Sequence, residues 1–333
     1  MAEPAIGYAR GMRMREEPDM QKTTRRGMAG GPSRRRVLGG ALALIGATAI
    51  RSPALAIGRR ALGDDELITI NDGTLTLPID FTFPDAPREE LLALLAGSGS
   101  STEVLEPDCN VTLLRRGNRL VIFDAGSGSN FVPTAGLLLE GLDEAGIDPA
   151  DVTDVVFTHA HPDHLWGVAD DFDELVFPNA SYLIGQKEWD FWSSPDAISQ
   201  VPEDRQNFVA GAQNRFAMIE DRIGFIAPGD EVLPGVEAVD TAGHTPGHLS
   251  FLVHGTEESV LVAGDALTNQ PVTFAHPEWR SGSDQDPELA ITTRLALLDR
   301  LAADRSGIIG YHMPHPGIGH VERDGTAYRF VPA

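Results

Sequence analysis

The feature that most constrains this chain is a short run of histidines and an aspartate directly behind an apolar stretch. Residues 152–158 are typical of a buried β-strand and end at the segment His-Ala-His-Pro-Asp-His. Residues two apart in an extended segment project to the same side, so His159 and His161 can hold one metal ion. Asp163 and His164 begin the next element and can face a second ion. The sequence therefore predicts a metal centre at a strand end.

Later in the chain, further apolar runs are followed by residues of the types that bind metals. Such residues are needed because the first segment alone cannot complete the coordination shells of two ions. His244 follows Thr-Ala-Gly, Asp265 follows a short strand and a glycine, and His312 follows Ile-Ile-Gly-Tyr. Imidazole and carboxylate ligands suit Zn²⁺, and they also suit Co, Mn or Fe. We therefore expect two divalent metal ions, with zinc the first choice.

Strand and helix patterns alternate along the chain, which indicates a layered α/β architecture. Residues 67–77 and 111–123 are predicted strands, the second containing a hairpin turn at Gly117-Asn118. Helical spacing of apolar residues occurs at 91–95, 137–145 and 289–302. Loops beyond the strand ends are where such folds usually place their chemistry.

Taken together, these motifs resemble the metallo-β-lactamase superfamily, and the resemblance covers essentially all of residues 57–333. It implies a four-layer αββα sandwich with two mixed β-sheets and outer helices. It also implies how the ligands divide. The first ion would be held by His159, His161 and His244, the second by Asp163, His164 and His312, and Asp265 would bridge them.

The resemblance also implies supporting and catalytic roles. Asp124, in a Phe-Asp-Ala-Gly turn, would support a ligand rather than bind metal. His248 is expected to donate or accept a hydrogen bond, because His244 already occupies the ligand position. Two ions bridged by Asp265 would share a water and lower its pKa, giving a hydroxide for hydrolysis. Asp163 would both bind metal and steer the proton of that water.

The C-terminal segments 312–320 and 328–332 are similar to the methyl parathion hydrolase branch of the superfamily, which is also exported. This similarity implies an exported hydrolase of a small ester, lactone or phosphotriester. An N-acyl homoserine lactonase is an alternative, although such lactonases usually carry a tyrosine where this chain has Thr268. The motifs are also compatible with a mononuclear iron oxygenase of the persulfide dioxygenase type, or with a metal-binding protein that has no enzymatic activity.

Aromatic side chains near these motifs are candidates for the wall of a substrate pocket. They would favour a small, largely apolar and uncharged substrate. An equally weighted interpretation places the rings in the core. The roles of His276 and His315 stay open at this point. The candidate substrate-binding residues are Trp189, Phe191, Trp192, Phe274 and Trp279.

Charge is distributed unevenly in a chain of net charge −23. Residues 1–56 carry 10 basic and 4 acidic side chains, a net charge of +6, which leaves −29 for residues 57–333. An acidic body disfavours nucleic acid and anionic lipid as partners. The single cysteine, Cys109, excludes a disulfide framework and is expected to be a buried, inert thiol rather than a nucleophile.

The basic N-terminus has the features of a twin-arginine signal peptide. Three arginines at 34–36 precede an uncharged run at 37–50 that is too short to span a bilayer. Ala54-Leu55-Ala56 supplies the small residues of a cleavage site, so we expect cleavage after Ala56. The predicted segments are a leader, 1–56, and a hydrolase domain, 57–333, exported by the twin-arginine machinery to the periplasm or beyond. No stable membrane anchor is expected, and a homodimer is compatible with the sequence.

Overall fold

The apolar runs of the sequence form the strands of two large β-sheets and the buried faces of the helices around them. The computed structural model describes residues 57–333. The predicted twin-arginine leader, 1–56, and its cleavage site lie outside the described residues. Within the described part, none of the helices is both long and apolar enough to cross a membrane.

The strands, in chain order, are short and regular. They are β1 (Ile57–Leu62), β2 (Asp65–Thr74), β3 (Leu77–Pro78), β4 (Val104–Leu105), β5 (Asp108–Arg116), β6 (Arg119–Phe123), β7 (Asp154–Val156), β8 (Ser181–Gly185), β9 (Ile223–Ile226), β10 (Glu231–Leu233), β11 (Val236–Asp240), β12 (Leu249–His254), β13 (Ser259–Val262), β14 (Gly307–Ile309), β15 (Ile318–Asp324) and β16 (Ala327–Pro332).

The helices lie between these strands in the chain. They are α1 (Ile79–Thr82), α2 (Arg88–Gly97), α3 (Leu138–Ala145), α4 (Pro162–Leu165), α5 (Gln186–Ser193), α6 (Ala197–Gln200), α7 (Gln206–Ile219), α8 (Gln270–Ala275) and α9 (Pro287–Asp304). The longest, α9, begins with Pro287, and the Asp286 side chain accepts a hydrogen bond from the Leu289 amide.

Each large sheet has seven strands and mixes parallel with antiparallel pairs. The first has the order β1-β2-β5-β6-β7-β8-β9, and its strands from β6 to β9 are parallel. The second runs in sequence order from β10 to β16, with β13 and β14 parallel. Strands β3 and β4 form a separate two-stranded sheet.

The two sheets pack face to face, and helices cover their outer faces. Phe123 of β6 and Phe251 of β12 meet between the sheets, with ring centroids 5.4 Å apart. Alternate residues of β5 explain the layering, since Val111 and Leu113 face the helices α3, α5 and α7 while Leu114 faces the second sheet. Helices α8 and α9 cover the other side. The predicted four-layer αββα sandwich with two mixed sheets is confirmed.

Predicted elements agree with the structure except at some boundaries. The hairpin turn at Gly117-Asn118 joins β5 to β6, and Gly117 has a φ of +58°, which favours glycine. The strand predicted at 67–77 stops at Thr74, because its pairing with β5 is irregular after Asn71. Leu77 pairs instead with Leu105 in the two-stranded sheet. An apolar run alone does not indicate such a change of partner.

The topology brings several chain segments with polar residues to one edge of the sandwich. Asp124 follows β6 and the His-Ala-His-Pro-Asp-His segment follows β7, both in the parallel part of the first sheet. Asp265 follows β13 and His312 follows β14, the parallel pair of the second sheet. Carboxyl ends of parallel strands meet at the same edge, so these segments converge from both sheets.

Packing between the sheets predicts a large effect of a single ring. Replacing Phe251 by alanine should lower the free energy of unfolding by about 3–5 kcal/mol, because the ring is fully buried. Phe225→Ala is the matched control, since Phe225 is 45% exposed and should lose about 1 kcal/mol or less. Chemical denaturation of the full chain measures both values. Equal losses would contradict the layered core described above.

Candidate metal centre

Four side chains form the first ligand cluster. His159, His161, His244 and Asp265 each present one ligand atom, and these atoms lie within 4.8 Å of one another. The Nδ1 atom of His161 is 3.0 Å from Nε2 of both His159 and His244. All four residues are buried. Three imidazole nitrogens and one carboxylate oxygen thus converge on one point at the end of β7.

Asp265 also belongs to a second cluster, with Asp163, His164 and His312. The His164 Nε2 atom is 3.4 Å from Asp163 Oδ2 and 3.2 Å from Asp265 Oδ1. His312 Nε2 is 3.3 Å from Oδ2 of each aspartate. Asp265 Oδ2 is in turn 3.3 Å from His244 Nε2 in the first cluster. The structure therefore brings together all seven residues predicted as ligands, with Asp265 between the two groups.

Hydrogen bonds of Asp124 fix the orientation of two rings. Its carboxylate accepts from the Thr158 amide (2.7 Å), from Thr158 Oγ1 (2.8 Å) and from His164 Nδ1 (2.8 Å). Because Thr158 Oγ1 uses its proton there, it accepts from His159 Nδ1 at 3.0 Å. Both imidazoles therefore donate from Nδ1 and turn Nε2 toward the clusters. Asp124 supports ligands without being one.

The other two Nε2 ligands are oriented in the same way. Nδ1 of His244 lies 3.1 Å from Asp284 Oδ1, and Nδ1 of His312 lies 2.9 Å from the carbonyl oxygen of Asp108. Since a carbonyl or carboxylate oxygen only accepts, each ring donates from Nδ1 and turns Nε2 toward the clusters. A carboxylate or carbonyl behind a histidine is the usual support of a metal ligand.

Buried atoms without hydrogen-bond partners test whether a metal ion fits. Asp163 Oδ2, His164 Nε2 and Asp265 Oδ1 are buried and have no hydrogen-bond partner. An unsatisfied buried polar atom costs about 1–3 kcal/mol, so three on one point are unfavourable without a ligand. A divalent cation would satisfy all three at once. The nitrogen and carboxylate donors suit zinc, and the residues present fit a bound divalent metal.

The pKa values in the metal-free protein follow from burial and from close charges. Burial lowers the pKa of His159 and His161 well below the usual range. Burial also opposes charge on His164, but Asp163 and Asp265 raise its pKa well above normal. Burial would raise the pKa of Asp163, whereas the neighbouring His164 holds it far below its ordinary value. Imidazolium and carboxylate groups therefore balance each other where a cation would bind.

His248 holds the backbone next to Asp265. The Asp265 amide donates to His248 Nε2 at 2.9 Å, so the ring proton is on Nδ1, which donates to Thr241 Oγ1 at 2.8 Å. Burial lowers the pKa of His248 to about 3 and keeps the ring neutral. Gly264 has a φ of +53°, and a Cβ there would lie 2.7 Å from His248 Nε2. His248 thus lies where the sequence predicts it, hydrogen-bonded beside the ligands.

The fold and the paired clusters define a metal-dependent hydrolase. Residues 105–312 match the family model of the metallo-beta-lactamase superfamily, and the chain belongs to this superfamily. Metallo-beta-lactamase domain-containing protein 1 of Xenopus laevis is 28% identical over 226 residues, which cover 67% of this chain and 81% of that protein. An N-acyl homoserine lactonase, AttM of Azorhizobium caulinodans, is 34% identical over 109 residues, 32% of this chain and 38% of AttM.

Two solved structures are similar over most of the chain. One is AidC, a dizinc quorum-quenching lactonase in complex with the product N-hexanoyl-L-homoserine, with a TM-score of 0.80 and 27% identity over 84% of this chain and 98% of AidC. The other is the hydrolase AbOPH, with a TM-score of 0.79 and 29% identity over 85% of this chain and 99% of AbOPH. The predicted superfamily and hydrolase class are therefore confirmed.

A cavity opens directly onto both clusters. Five of the seven ligand candidates line it, and its other walls are mainly apolar. Most of these walls come from the segment between β2 and β5 and from the start of α7. The principal apolar residues are Leu75, Leu77, Phe81, Leu105, Phe131 and Phe208.

The aromatic residues predicted for the pocket lie elsewhere, and that prediction is corrected. Trp189 stacks on Phe216 of α7, with ring centroids 4.2 Å apart. Phe274 is buried between α8 and the second sheet, and Trp279 stacks on His276. Among the described residues, none of these rings lines the cavity.

Phe191 and Trp192 complete this correction. Phe191 packs against the core at the end of α5, and Trp192 is fully buried beside it. The edge of the Trp192 ring faces His161 with centroids 5.6 Å apart, so it supports a ligand from behind. The sequence showed which aromatic residues lie near the motifs, but it did not show which side of each helix faces the cavity.

Several residues of the site have no sequence signal. Asp284, which supports His244, also accepts from Arg294 at 2.9 Å, and it lies in an ordinary Ser-Gly-Ser-Asp loop. Tyr311 donates to the carbonyl oxygen of Asp163 at 2.6 Å. Only their contacts in the folded chain identify them, although the position of Tyr311 beside His312 is a weak hint.

Three further candidates from the sequence take structural positions. Cys109 is buried beside Asp163 and His312, and burial raises its pKa to about 11, so it is a neutral thiol. His276 lies near Glu278 outside the cavity. His315 shares a 2.7 Å hydrogen bond between its Nδ1 atom and Asn110 Oδ1.

Loss of a supporting carboxylate should weaken metal binding. Asp124→Asn replaces a carboxylate oxygen by an amide and should lower zinc affinity about 10- to 100-fold. Competition with a chelator measures this affinity. Asp221→Asn is the control, because Asp221 is exposed. Unchanged affinity in Asp124→Asn would refute the supporting role.

Metal binding should also release protons. Neighbouring carboxylates raise the pKa of His164 and of His312 in the metal-free protein, so both carry protons at neutral pH that a metal must displace. Zinc affinity should therefore rise with pH and fall on acidification. Calorimetric titration in buffers of different ionisation enthalpy counts the released protons. A count of zero at pH 7 would contradict the charge pattern described here.

Proposed function

We propose that this hydrolase cleaves the ester bond of a small, uncharged lactone that carries an apolar chain. The observation that supports this most is the mainly apolar cavity, whose lining includes five of the ligand candidates. Phe131 and Phe208 pack edge to face there with ring centroids 5.9 Å apart, and the Phe208 centroid is 5.9 Å from that of His161. An apolar chain can pack along these rings while the ester reaches the metal centre.

The division of ligands between two ions is part of the proposal. One ion would be held by His159, His161 and His244. The other would be held by Asp163, His164 and His312, and Asp265 would contact both ions. Such ions, zinc first, would activate a water molecule and polarise the carbonyl oxygen of the substrate.

Asp163 is the group placed to handle a proton. It lines the cavity, so its carboxylate is within reach of a bound substrate. It can therefore accept a proton from the attacking water and return it to the leaving oxygen. Asp265 lies between the clusters and contacts residues of both. Tyr311 holds the Asp163 backbone by its hydrogen bond to the carbonyl oxygen.

An N-acyl homoserine lactone is the specific substrate proposed. AidC, a lactonase seen with N-hexanoyl-L-homoserine, matches over nearly its whole length, and several AttM lactonases match over part of theirs. Thr268 lines the cavity at the position where lactonases of this superfamily usually carry a tyrosine. The smaller side chain leaves more room beside the centre.

A phosphotriester is the second candidate. The C-terminal resemblance to the methyl parathion hydrolase branch favours it, and the same cavity accepts an uncharged aryl ester. An iron oxygenase with one metal is disfavoured, because Asp163, His164 and His312 form a second set of potential ligands beside the first.

Kinetics of the zinc-loaded full chain test the proposal. We expect kcat/KM for N-hexanoyl homoserine lactone to exceed that for a dimethyl aryl phosphotriester by tenfold or more. Asp163→Asn should lower kcat about 10²-fold, since a positioned acid or base contributes at least this much. Phe208→Ala should raise KM about tenfold for long acyl chains and little for short ones.

Controls separate the two candidate substrates. Phe225→Ala removes an exposed ring far from the described cavity lining and should leave both substrates unaffected. Hydrolysis of phosphotriesters without lactone hydrolysis would replace the first proposal by the second. Hydrolysis of neither, by a protein with two zinc ions, would refute both.

A further inference from the structure

A buried carboxylate behind the first cluster has no role in the function proposed so far. Glu188 lies in the first turn of α5 and is fully buried. It is not among the predicted ligands, and its carboxylate lies in none of the described ligand clusters. A buried charge of this kind is costly unless it is well hydrogen-bonded.

The carboxylate of Glu188 accepts four hydrogen bonds, which come from its own helix and from two separate loops. Oε1 accepts from the Ala160 amide at 3.0 Å and from Trp192 Nε1 at 2.7 Å. Oε2 accepts from Thr245 Oγ1 at 2.7 Å and from the Gly247 amide at 2.9 Å. Ala160 lies between two ligand histidines of one loop, and Thr245 directly follows the third.

We propose that Glu188 is the positioning residue that holds the two ligand loops of the first cluster, and thereby sets how tightly that cluster binds its metal ion. One oxygen serves the loop of His159 and His161, and the other serves the loop of His244. A single side chain therefore fixes the distance between the loops. This inference rests on the metal centre and does not depend on the proposed substrate.

A close backbone approach supports the proposal independently. A Cβ atom on Gly247 would lie 2.1 Å from the Glu188 amide nitrogen and 2.6 Å from its Cα. The His244 loop is thus packed against the start of α5 with no space for a side chain. Glycine at this position allows the loop to reach the carboxylate.

The charge of Glu188 adds to its geometric role. Burial raises the pKa of this carboxyl, while the hydrogen bonds from Thr245 and Ala160 lower it. A proton on either oxygen would displace one of the donors, so the observed bonding is that of a carboxylate. Asp265, shared with the second cluster, is the one carboxylate among the ligands of the first cluster. A second negative charge close behind the three imidazoles favours a divalent cation there.

Glu188→Gln is the sharpest test because it preserves the shape of the side chain. The amide has one accepting oxygen, so its NH₂ group must face two of the present donors, and the backbone amide of either Ala160 or Gly247 loses its acceptor. We expect zinc affinity of the first-cluster site to fall about 10- to 100-fold, measured by chelator competition on the full chain. Glu144→Gln is the matched control, since Glu144 is an exposed residue of α3.

Thermal unfolding distinguishes positioning of the metal site from a general structural role. Zinc should raise the melting temperature of the unsubstituted protein more than that of Glu188→Gln, because the stabilisation depends on binding affinity. A purely structural role would lower both metal-free and zinc-bound stability and leave the zinc-induced rise unchanged. Gly247→Ala, which displaces the loop but keeps the carboxylate, should also weaken zinc binding.

Each outcome decides the proposal. The proposal is supported if both variants bind zinc more weakly than the unsubstituted protein and show a smaller zinc-induced rise in melting temperature. The proposal is overturned if Glu188→Gln has the same zinc affinity and the same zinc-induced rise in melting temperature as the unsubstituted protein, whatever its effect on stability. Because the readout is metal binding, failure to hydrolyse lactones would refute the proposed function and leave this inference intact.

Discussion

The structure depends on one electrostatic constraint, which is the burial of two carboxylates within reach of the same histidine nitrogens. Asp163 and Asp265 both approach His312 Nε2 at 3.3 Å, and all three residues are buried. Without a positive charge between them, the like charges would repel. Either protonated histidines or bound cations must supply that charge. The site therefore requires positive charge between its carboxylates, and its chemistry depends on that charge.

The sandwich makes this arrangement possible because the ligands come from strand ends rather than from one flexible loop. His159 and His161 follow the first sheet, while Asp265 and His312 follow the second. The two sheets are held together by a rigid apolar layer that includes Phe123 and Phe251. Small changes in that layer would alter the distances between ligands, since close-packed interiors transmit strain. Stability of the core and geometry of the site are thus coupled.

The structure brings the predicted ligand candidates together but places the predicted pocket residues elsewhere, for a physical reason. Metal ligands must be of a few residue types at fixed spacing, so His159 to His164 are recognisable from the chain alone. Supporting and pocket residues need only the right position in space. Asp284 reaches His244 across 40 residues of chain, and Phe81 enters the cavity from a segment with no motif. Trp189 and Trp279, in contrast, have the right composition and lie away from the cavity.

The outer partners of the two clusters are not equivalent, and this gives Glu188 its significance. Asp124 supports His164 and has no arginine or lysine among its hydrogen-bond partners in the described chain. Asp284 supports His244, but Arg294 at 2.9 Å offsets its negative charge. If Asp284 were its only supporting carboxylate, the first cluster, which contains His244, would therefore bind a cation more weakly than the second. Glu188 accepts its hydrogen bonds from neutral donors only, so no positively charged donor offsets the carboxylate that holds both ligand loops. The balance between the two metal positions thus depends on a residue that binds neither ion.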